Sequence, residues 1–404
     1  MITRSRKQHN AARLAILLSA GISLGCCAAC GGAGQDAADR ARPPRAATSC
    51  ALLVSDSVLH DFLDLVDRVE SGADVSVQAM TELADRPLWR TWRRSFFAEE
   101  TAAETIGHAL FMALRGADAL PEDMRGRVYR NDLVRNYRQT ANRREQITAF
   151  LAQFTAAERA CDIATLLRGY LTAADLPDTL RIEFVVGMPE IRLFEGVFLV
   201  DAGLAWASGQ EQLVRFLAST LYKQRTLVDG PIPNSVHGSA ILLHSLRVVR
   251  NEAVAAYIDD LPEVTFDGRH ELLAAASFKP ETVFRSATRT LSALDGDLTL
   301  YLAKPSVTDE EWLDTYRLFV GAQSWQTTGW FMARTIVDRL GIEHLQQVGR
   351  SVPDFFAAYQ NAAASPPRTA QAEPGSPAWY LAAAPALSES NWAWLEPELR
   401  RLFP

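Results

Sequence analysis

The chain has 404 residues, of which 48% are hydrophobic and 22% are charged, and its formal net charge at pH 7 is −7. This composition is typical of a globular protein with enough residues for two ordinary domains or one large domain. The charge shows no basic excess, and this argues against nucleic acid as a partner.

Residues 1–25 have the pattern of a bacterial signal peptide. An apolar run of 11 residues, 14–24, follows a segment with four basic side chains, Arg4, Arg6, Lys7 and Arg13. The run is too short to span a membrane as a helix, which takes about 20 residues. A basic start followed by a short apolar run instead predicts that the protein is exported.

Three cysteines, Cys26, Cys27 and Cys30, follow this apolar run directly. Gly25 followed by Cys26 resembles a lipoprotein signal, in which the cysteine is lipidated and becomes the new N-terminus. We therefore expect a lipoprotein of the bacterial cell envelope that is anchored in the membrane and faces the periplasm or the cell exterior.

Two alternatives to lipidation at Cys26 remain open at this stage. Ser23 stands where a leucine is usual in lipoprotein signals, so Cys27 or Cys30 could be modified instead. Ordinary cleavage near Ala28 or Ala29 would release a soluble exported protein.

Residues 26–50 predict a flexible tether, because residues 31–49 are rich in Gly, Ala, Pro and Arg and have no apolar periodicity. Two further cysteines, Cys50 and Cys161, lie in the mature protein. Export makes a disulfide between them chemically permissible, and two buried thiols are the alternative.

The rest of the chain predicts three regions and a fold that is mainly α with a small β-sheet (α+β). Residues 51–175 form a helical N-terminal region, with helical apolar spacing in 58–69, 101–114 and 144–154. Residues 176–290 form a core in which 180–187 and 196–201 predict neighbouring strands, joined by residues 188–190, before helices resume near 210. Residues 291–404 form a helical C-terminal region with a Pro- and Ala-rich loop at 362–377 and a helix at 392–402.

The helix predicted near residue 210 carries the most informative pattern. Leu213, Phe216, Leu217 and Leu221 recur at helical spacing, and residues 218–224 are Ala-Ser-Thr-Leu-Tyr-Lys-Gln. A zinc peptidase of this layout carries His-Glu-x-x-His on such a helix, with both His on one face to bind the metal.

The order of elements and three short motifs resemble the gluzincin zinc metallopeptidases, in particular an exported bacterial branch. In that branch the helix typically has Ala-His-Glu-Leu-Tyr-His-Gln, and a second helix has Glu-Glu-Gly-Val-Ala, where residues 251–255 here are Asn-Glu-Ala-Val-Ala. Residues 328–334 are similar to a later Gly-x-x-Met-Ala helix of the family. The resemblance spans residues 180–359 and implies a gluzincin-like scaffold.

The resemblance also implies what the matching positions would do in an active relative. There, the two His and the Glu of the second helix bind zinc, and the Glu inside the motif is the general base. Ser219, Thr220 and Lys223 stand at the motif positions here, and Glu252 matches the third ligand. An ammonium has no free lone pair and a hydroxyl does not replace imidazole at zinc, so we expect no zinc, no other cofactor and no catalytic residue.

Lys223 and Glu252 can instead form an ion pair where the metal would lie, because one cation then replaces another. On this interpretation the chain is a degenerate, inactive peptidase that binds a peptide or a protein in the former cleft. The sequence leaves two alternatives open: an active hydrolase with a non-standard set, such as Ser219 with Lys223, and a structural envelope lipoprotein of unrelated origin. A second partial zinc motif at His270-Glu271 has Ala274 in place of the second His.

Overall fold

The computed structural model describes residues 51–96, 103–117, 129–155, 159–226, 236–260, 280–320, 324–366 and 372–404. The described residues are mostly helical and contain one small four-stranded sheet. The predicted fold class, mainly α with a small sheet, is therefore confirmed. The predicted signal peptide, the lipidation site Cys26 and the tether lie outside the described residues.

The helices are numbered in chain order within the described residues. They are α1 (Ser57–Glu70), α2 (Val77–Ala84), α3 (Pro87–Phe96), α4 (Ala103–Leu114), α5 (Tyr129–Asn142), α6 (Arg144–Thr155), α7 (Arg159–Leu167), α8 (Ala202–Ser208), α9 (Gln210–Thr226), α10 (Ala240–Ile258), α11 (Pro280–Leu302), α12 (Asp309–Val320), α13 (Ser324–Leu340), α14 (Ile342–Val348), α15 (Val352–Ala364), α16 (Pro377–Ala382) and α17 (Glu389–Leu402), together with a 3₁₀ turn at Ala173–Asp175.

The sheet has the strand order β1-β2-β4-β3. Strands β1, β2 and β4 run parallel, with Ala51 opposite Thr179 and Arg181 opposite Val197, and β3 runs antiparallel to β4 at one edge. The strands are β1 (Ala51–Ser55), β2 (Thr179–Val185), β3 (Ile191–Phe194) and β4 (Val197–Asp201).

The sequence pattern correctly made β2 and β4 neighbours but missed both edge strands. The sequence predicts a helical N-terminal region, but that region begins with β1, a five-residue strand without a charged side chain. The sequence predicts no strand at the four residues of β3, which pair with β4 across a tight turn in which Glu195 has φ 49° and Gly196 has φ 80°. Strands this short have too few alternating positions to stand out.

A buried carboxylate fixes the junction between the sheet and the helices that follow. Asp201 ends β4 and accepts hydrogen bonds from Leu204 N (2.9 Å), Gly187 N (3.1 Å) and Asn136 Nδ2 (2.9 Å). The side chain is fully buried, and this desolvation raises the pKa of Asp201 to about 7, although its hydrogen bonds act in the opposite direction. As the N-cap of α8, Asp201 sets the direction in which the chain leaves the sheet.

Helix α10 lies at the centre of the helical part and packs closely against α13. A Cβ atom added at Gly329 of α13 would lie 2.6 Å from Val249 O and 2.8 Å from Ala253 N. Only a residue without a side chain allows the two backbones to approach so closely. The glycine of the Gly-x-x-Met-Ala motif therefore has a packing role in this chain.

A search of the described residues for a helix long and apolar enough to cross a membrane found none.

Candidate functional site

The candidate site lies between α9 and α10, which pack against each other. Gly209 ends α8 with φ 79° and lets the chain turn directly into α9. Most of α9 is buried, including Ser219 and Tyr222, which have no exposed surface. Helix α10 is largely apolar and buried, so the few polar side chains in it are conspicuous.

Lys223 of α9 and Glu252 of α10 form an ion pair across this interface. Lys223 Nζ lies 2.8 Å from Glu252 Oε2, and the two side chains are 15% and 18% exposed. This is the ion pair anticipated from the sequence at the two positions. Because both groups are largely shielded from water, their mutual attraction exceeds that of a surface pair.

Ser219 lies one turn before Lys223, but its hydroxyl does not bond to the lysine. Ser219 Oγ donates a hydrogen bond to Phe216 O at 3.1 Å within the same helix. A Ser-Lys catalytic pair needs the amine within hydrogen-bond reach of the serine hydroxyl. The geometry therefore gives no support to a nucleophilic Ser219. Thr220, another of the four candidate positions, is half-buried.

Two further side chains of the α9–α10 interface, Tyr222 and Arg250, bond to the main chain just after α14. Tyr222 Oη donates to Gly349 O at 2.8 Å, and Arg250 Nη1 donates to the same oxygen at 3.1 Å. Burial raises the pKa of the Tyr222 phenol, and the Arg250 guanidinium partly opposes this rise. Arg250 is 5% exposed, and the sequence reasoning missed it. The signal that could have identified Arg250 is its position as a charged residue inside an apolar helical stretch.

Asn251 lies between these two contacts on α10 and is 2% exposed. Its Nδ2 lies 3.5 Å from Thr226 O, at the limit of a hydrogen bond, and its Oδ1 is buried with no hydrogen-bond partner within the described residues. The centre of the interface is thus polar, with one amide oxygen that has no partner among the described residues.

The side chains at this site do not fit a zinc ion. Zinc ligands donate a lone pair, and zinc sites in proteins use at least three such groups. Lys223 presents an ammonium that is already paired with Glu252, and Ser219 uses its proton within its own helix. Glu252 is the one ligand type among the four positions. A zinc ion here would meet the positive charge of Lys223 at the carboxylate that should bind it.

Two histidines near the start of α10, His237 and His244, do not join this site. His237 Nδ1 lies 2.7 Å from Asp309 Oδ2 near the start of α12, and His244 packs edge-on against Phe403. In the part of the chain that the structure describes, no three side chains of His, Cys, Asp or Glu converge as they would to hold a metal ion. The partial motif at His270 lies outside the described residues.

The Cys50–Cys161 disulfide, one of the two alternatives that the sequence leaves open, stays a prediction. Cys161 is half-buried on α7 and carries a free thiol in the structure. Cys50 lies outside the described residues.

Comparison with known proteins places the chain in a family. The model of a family described as "Putative zinc dependent peptidase (DUF5700)" matches residues 98–367, which is 270 of the 404 residues. Neither the curated proteins nor the solved structures give a match. The matched range contains α9, α10 and α13 with all four candidate positions. The chain therefore belongs to this family of zinc-peptidase-like proteins.

Proposed function

We propose that this chain is a non-catalytic member of its family, in which the ammonium of Lys223 takes the place of the metal ion. On this proposal the protein is exported, is held at the membrane by a lipid on Cys26, and binds a peptide or a protein partner in the cleft that serves active relatives for catalysis. The single observation that carries the proposal is the 2.8 Å contact between Lys223 Nζ and Glu252 Oε2.

Charge balance supports this reading of the ion pair. Removing a divalent metal from a partly buried site leaves its carboxylate ligand with an uncompensated negative charge, which is unfavourable. A lysine at the position of the second His supplies a positive charge on the neighbouring helix, one turn after Ser219. The carboxylate is then neutralised within the protein, and the two helices keep their arrangement without a metal.

The position of the sheet supports peptide binding near this site. Strand β3 is an edge strand, and α9 packs beside it. An edge strand can bind an extended peptide through its main chain, and side-chain pockets next to the edge then select the sequence. Such binding needs no metal and no catalytic base, so it can persist after both have been lost.

The functional proposal is tested by purifying the protein and measuring peptide hydrolysis and thermal stability with and without a strong chelator. We expect no hydrolysis of a casein or mixed-peptide substrate, and a melting temperature that the chelator does not change. A hydrolytic activity that the chelator abolishes, together with a lowered melting temperature, would show that a metal is in use and would refute the proposal. Glu252→Gln is the matched variant, because it would remove such an activity without a change in shape.

The lipid anchor is tested separately on the full chain. We expect the protein to fractionate with membranes, and Cys26→Ser to release it or to block its maturation, because stable attachment depends on the acyl chains. Cys50→Ser is the matched control, since it should leave fractionation unchanged. A mature N-terminus beyond Cys30 without a lipid would contradict the anchor while leaving the proposal for the α9–α10 site intact.

A further inference from the structure

Strand β1 forms the edge of the sheet opposite to β3, and a cavity lies next to it. The cavity has a volume of about 650 Å³. Residues of α1, α6 and the sheet line the cavity. Most of these residues are apolar, among them Leu59, Leu63, Leu151 and Phe184. This volume is within the range of pockets that bind small ligands or large side chains.

The main chain of β1 is open on the side that faces away from β2. Ala51 N donates to Asp178 O on the β2 side, and successive residues of a strand point their N–H and C=O groups in opposite directions. The main-chain N–H and C=O groups of Leu52 and Val54 therefore point outward, away from β2. Within the part of the chain described, these outward groups have no partner.

The cavity runs along this open edge. Leu52, Leu53 and Val54 all line it, although consecutive side chains of a strand lie on opposite faces of the sheet. The cavity is therefore next to the strand's edge, where an added strand would lie. Leu53 is 55% exposed, and β1 has neither the charged residue nor the proline that usually protects an open edge.

From these contacts we infer that β1 is a second binding site, which takes an extended peptide segment of a partner protein as an added strand and seats one large apolar side chain in the adjoining cavity. Two residues with outward N–H and C=O groups match the hydrogen-bonding pattern of an extended main chain. Asp56 is exposed and lines the same cavity, so a basic residue next to the apolar one is favoured.

The chain's own tether is a poor occupant for this site. Residues 31–49 contain no Leu, Ile, Val, Met or aromatic residue that could fill an apolar cavity. A second copy pairing through β1 would add a single five-residue strand on each side, a small contact compared with those of stable dimers. A separate peptide fits both the main-chain pattern and the cavity.

The test uses fluorescent, acetylated hexapeptides in which Thr alternates with Leu, Phe or Val, with one flanking Lys or Glu. We expect saturable binding of at least one member to the natural protein, with Lys preferred over Glu. N-methylation of the amides on one face of the peptide should abolish binding, and N-methylation of the alternate amides should not, because an added strand bonds through one side of its main chain. No binding by any member overturns the proposal.

Two variants and one control locate the binding. Val54→Pro removes an outward N–H without removing a hydrogen bond to β2, so the fold should persist while affinity falls about tenfold or more.

Thr148→Trp places a ring in the cavity from the exposed side of α6, and Ala149→Trp is the control, since residue 149 is exposed on the same helix but does not line the cavity. Equal binding by all three variants overturns the assignment to β1. Dimers of the natural protein that Val54→Pro dissociates would overturn it in favour of a second copy.

Discussion

Helix α10 contacts its two neighbours, α13 and α9, in different ways. Toward α13, the helix is held by backbone contact at Gly329, where even one methyl group would not fit. Toward α9, its contact at the candidate site is an ion pair between two long side chains, Lys223 and Glu252, both slightly exposed. The contact with α13 fixes the position of α10. The contact with α9 determines which charged groups the candidate site contains.

On the proposed function, this difference lets a peptidase scaffold lose its metal and keep its fold. Closely packed interiors tolerate little change in volume, so the α13 side has few permitted substitutions. Side chains at the rim of an interface can change if their charges remain balanced. Lys223 opposite Glu252 satisfies this condition, and the helices α9 and α10 need not move.

The largest expected effect comes from Gly329→Ala, on the close-packed side. The new Cβ would lie against the backbone of α10 at Val249 and Ala253, so the two helices would have to separate. We expect a loss of about 3 kcal/mol in the free energy of unfolding, measured by urea denaturation. Gly296→Ala in α11 is the control, because its Cβ meets nothing within 4 Å, and it should be neutral or slightly stabilising. Equal effects of the two variants would show that α10 and α13 are not closely packed.

A smaller loss is expected from Arg250→Ala, on the side toward α9. The substitution removes a buried side chain and one of the two donors to Gly349 O. We expect destabilisation of about 2 kcal/mol by urea denaturation, and about 1 kcal/mol for Tyr222→Phe, because either variant leaves the other donor in place. Arg289→Ala, at an exposed position of α11, is the control and should change little. A loss of less than 0.5 kcal/mol, on the order of a surface substitution, would contradict the structural role of Arg250.

The ion pair itself should have a smaller effect on stability than Gly329 or Arg250. We expect Lys223→Met and Glu252→Gln each to cost about 1 kcal/mol, because each leaves one partly buried charge unpaired, and the double variant to cost less than the sum. A thermodynamic cycle over the three variants measures this coupling. Strictly additive losses would mean that Lys223 and Glu252 do not interact in solution. The exposed pair Arg400–Asp354 is the reference, with an expected coupling near zero.

The sequence predicted the fold class and the partners at the candidate site because both depend on patterns that are local. Helical spacing identified α9, and the aligned motif placed Lys223 opposite Glu252. The parallel pairing of β1 with β2 was not predictable in this way, since more than 100 residues separate the two strands in the chain. Arg250 was missed for a similar reason: its partner, Gly349 O, is a main-chain atom about 100 residues away that no motif marks.

A zinc titration of the natural protein against one variant shows whether the ammonium of Lys223 replaces a metal ion. The variant combines Ser219→His, Thr220→Glu and Lys223→His, which restores three zinc-peptidase positions around Glu252. Zinc binding is followed by competition with a chromophoric chelator. We expect no stoichiometric binding by the natural protein and one equivalent for the variant. One tightly bound equivalent in the natural protein that Glu252→Gln removes would contradict it.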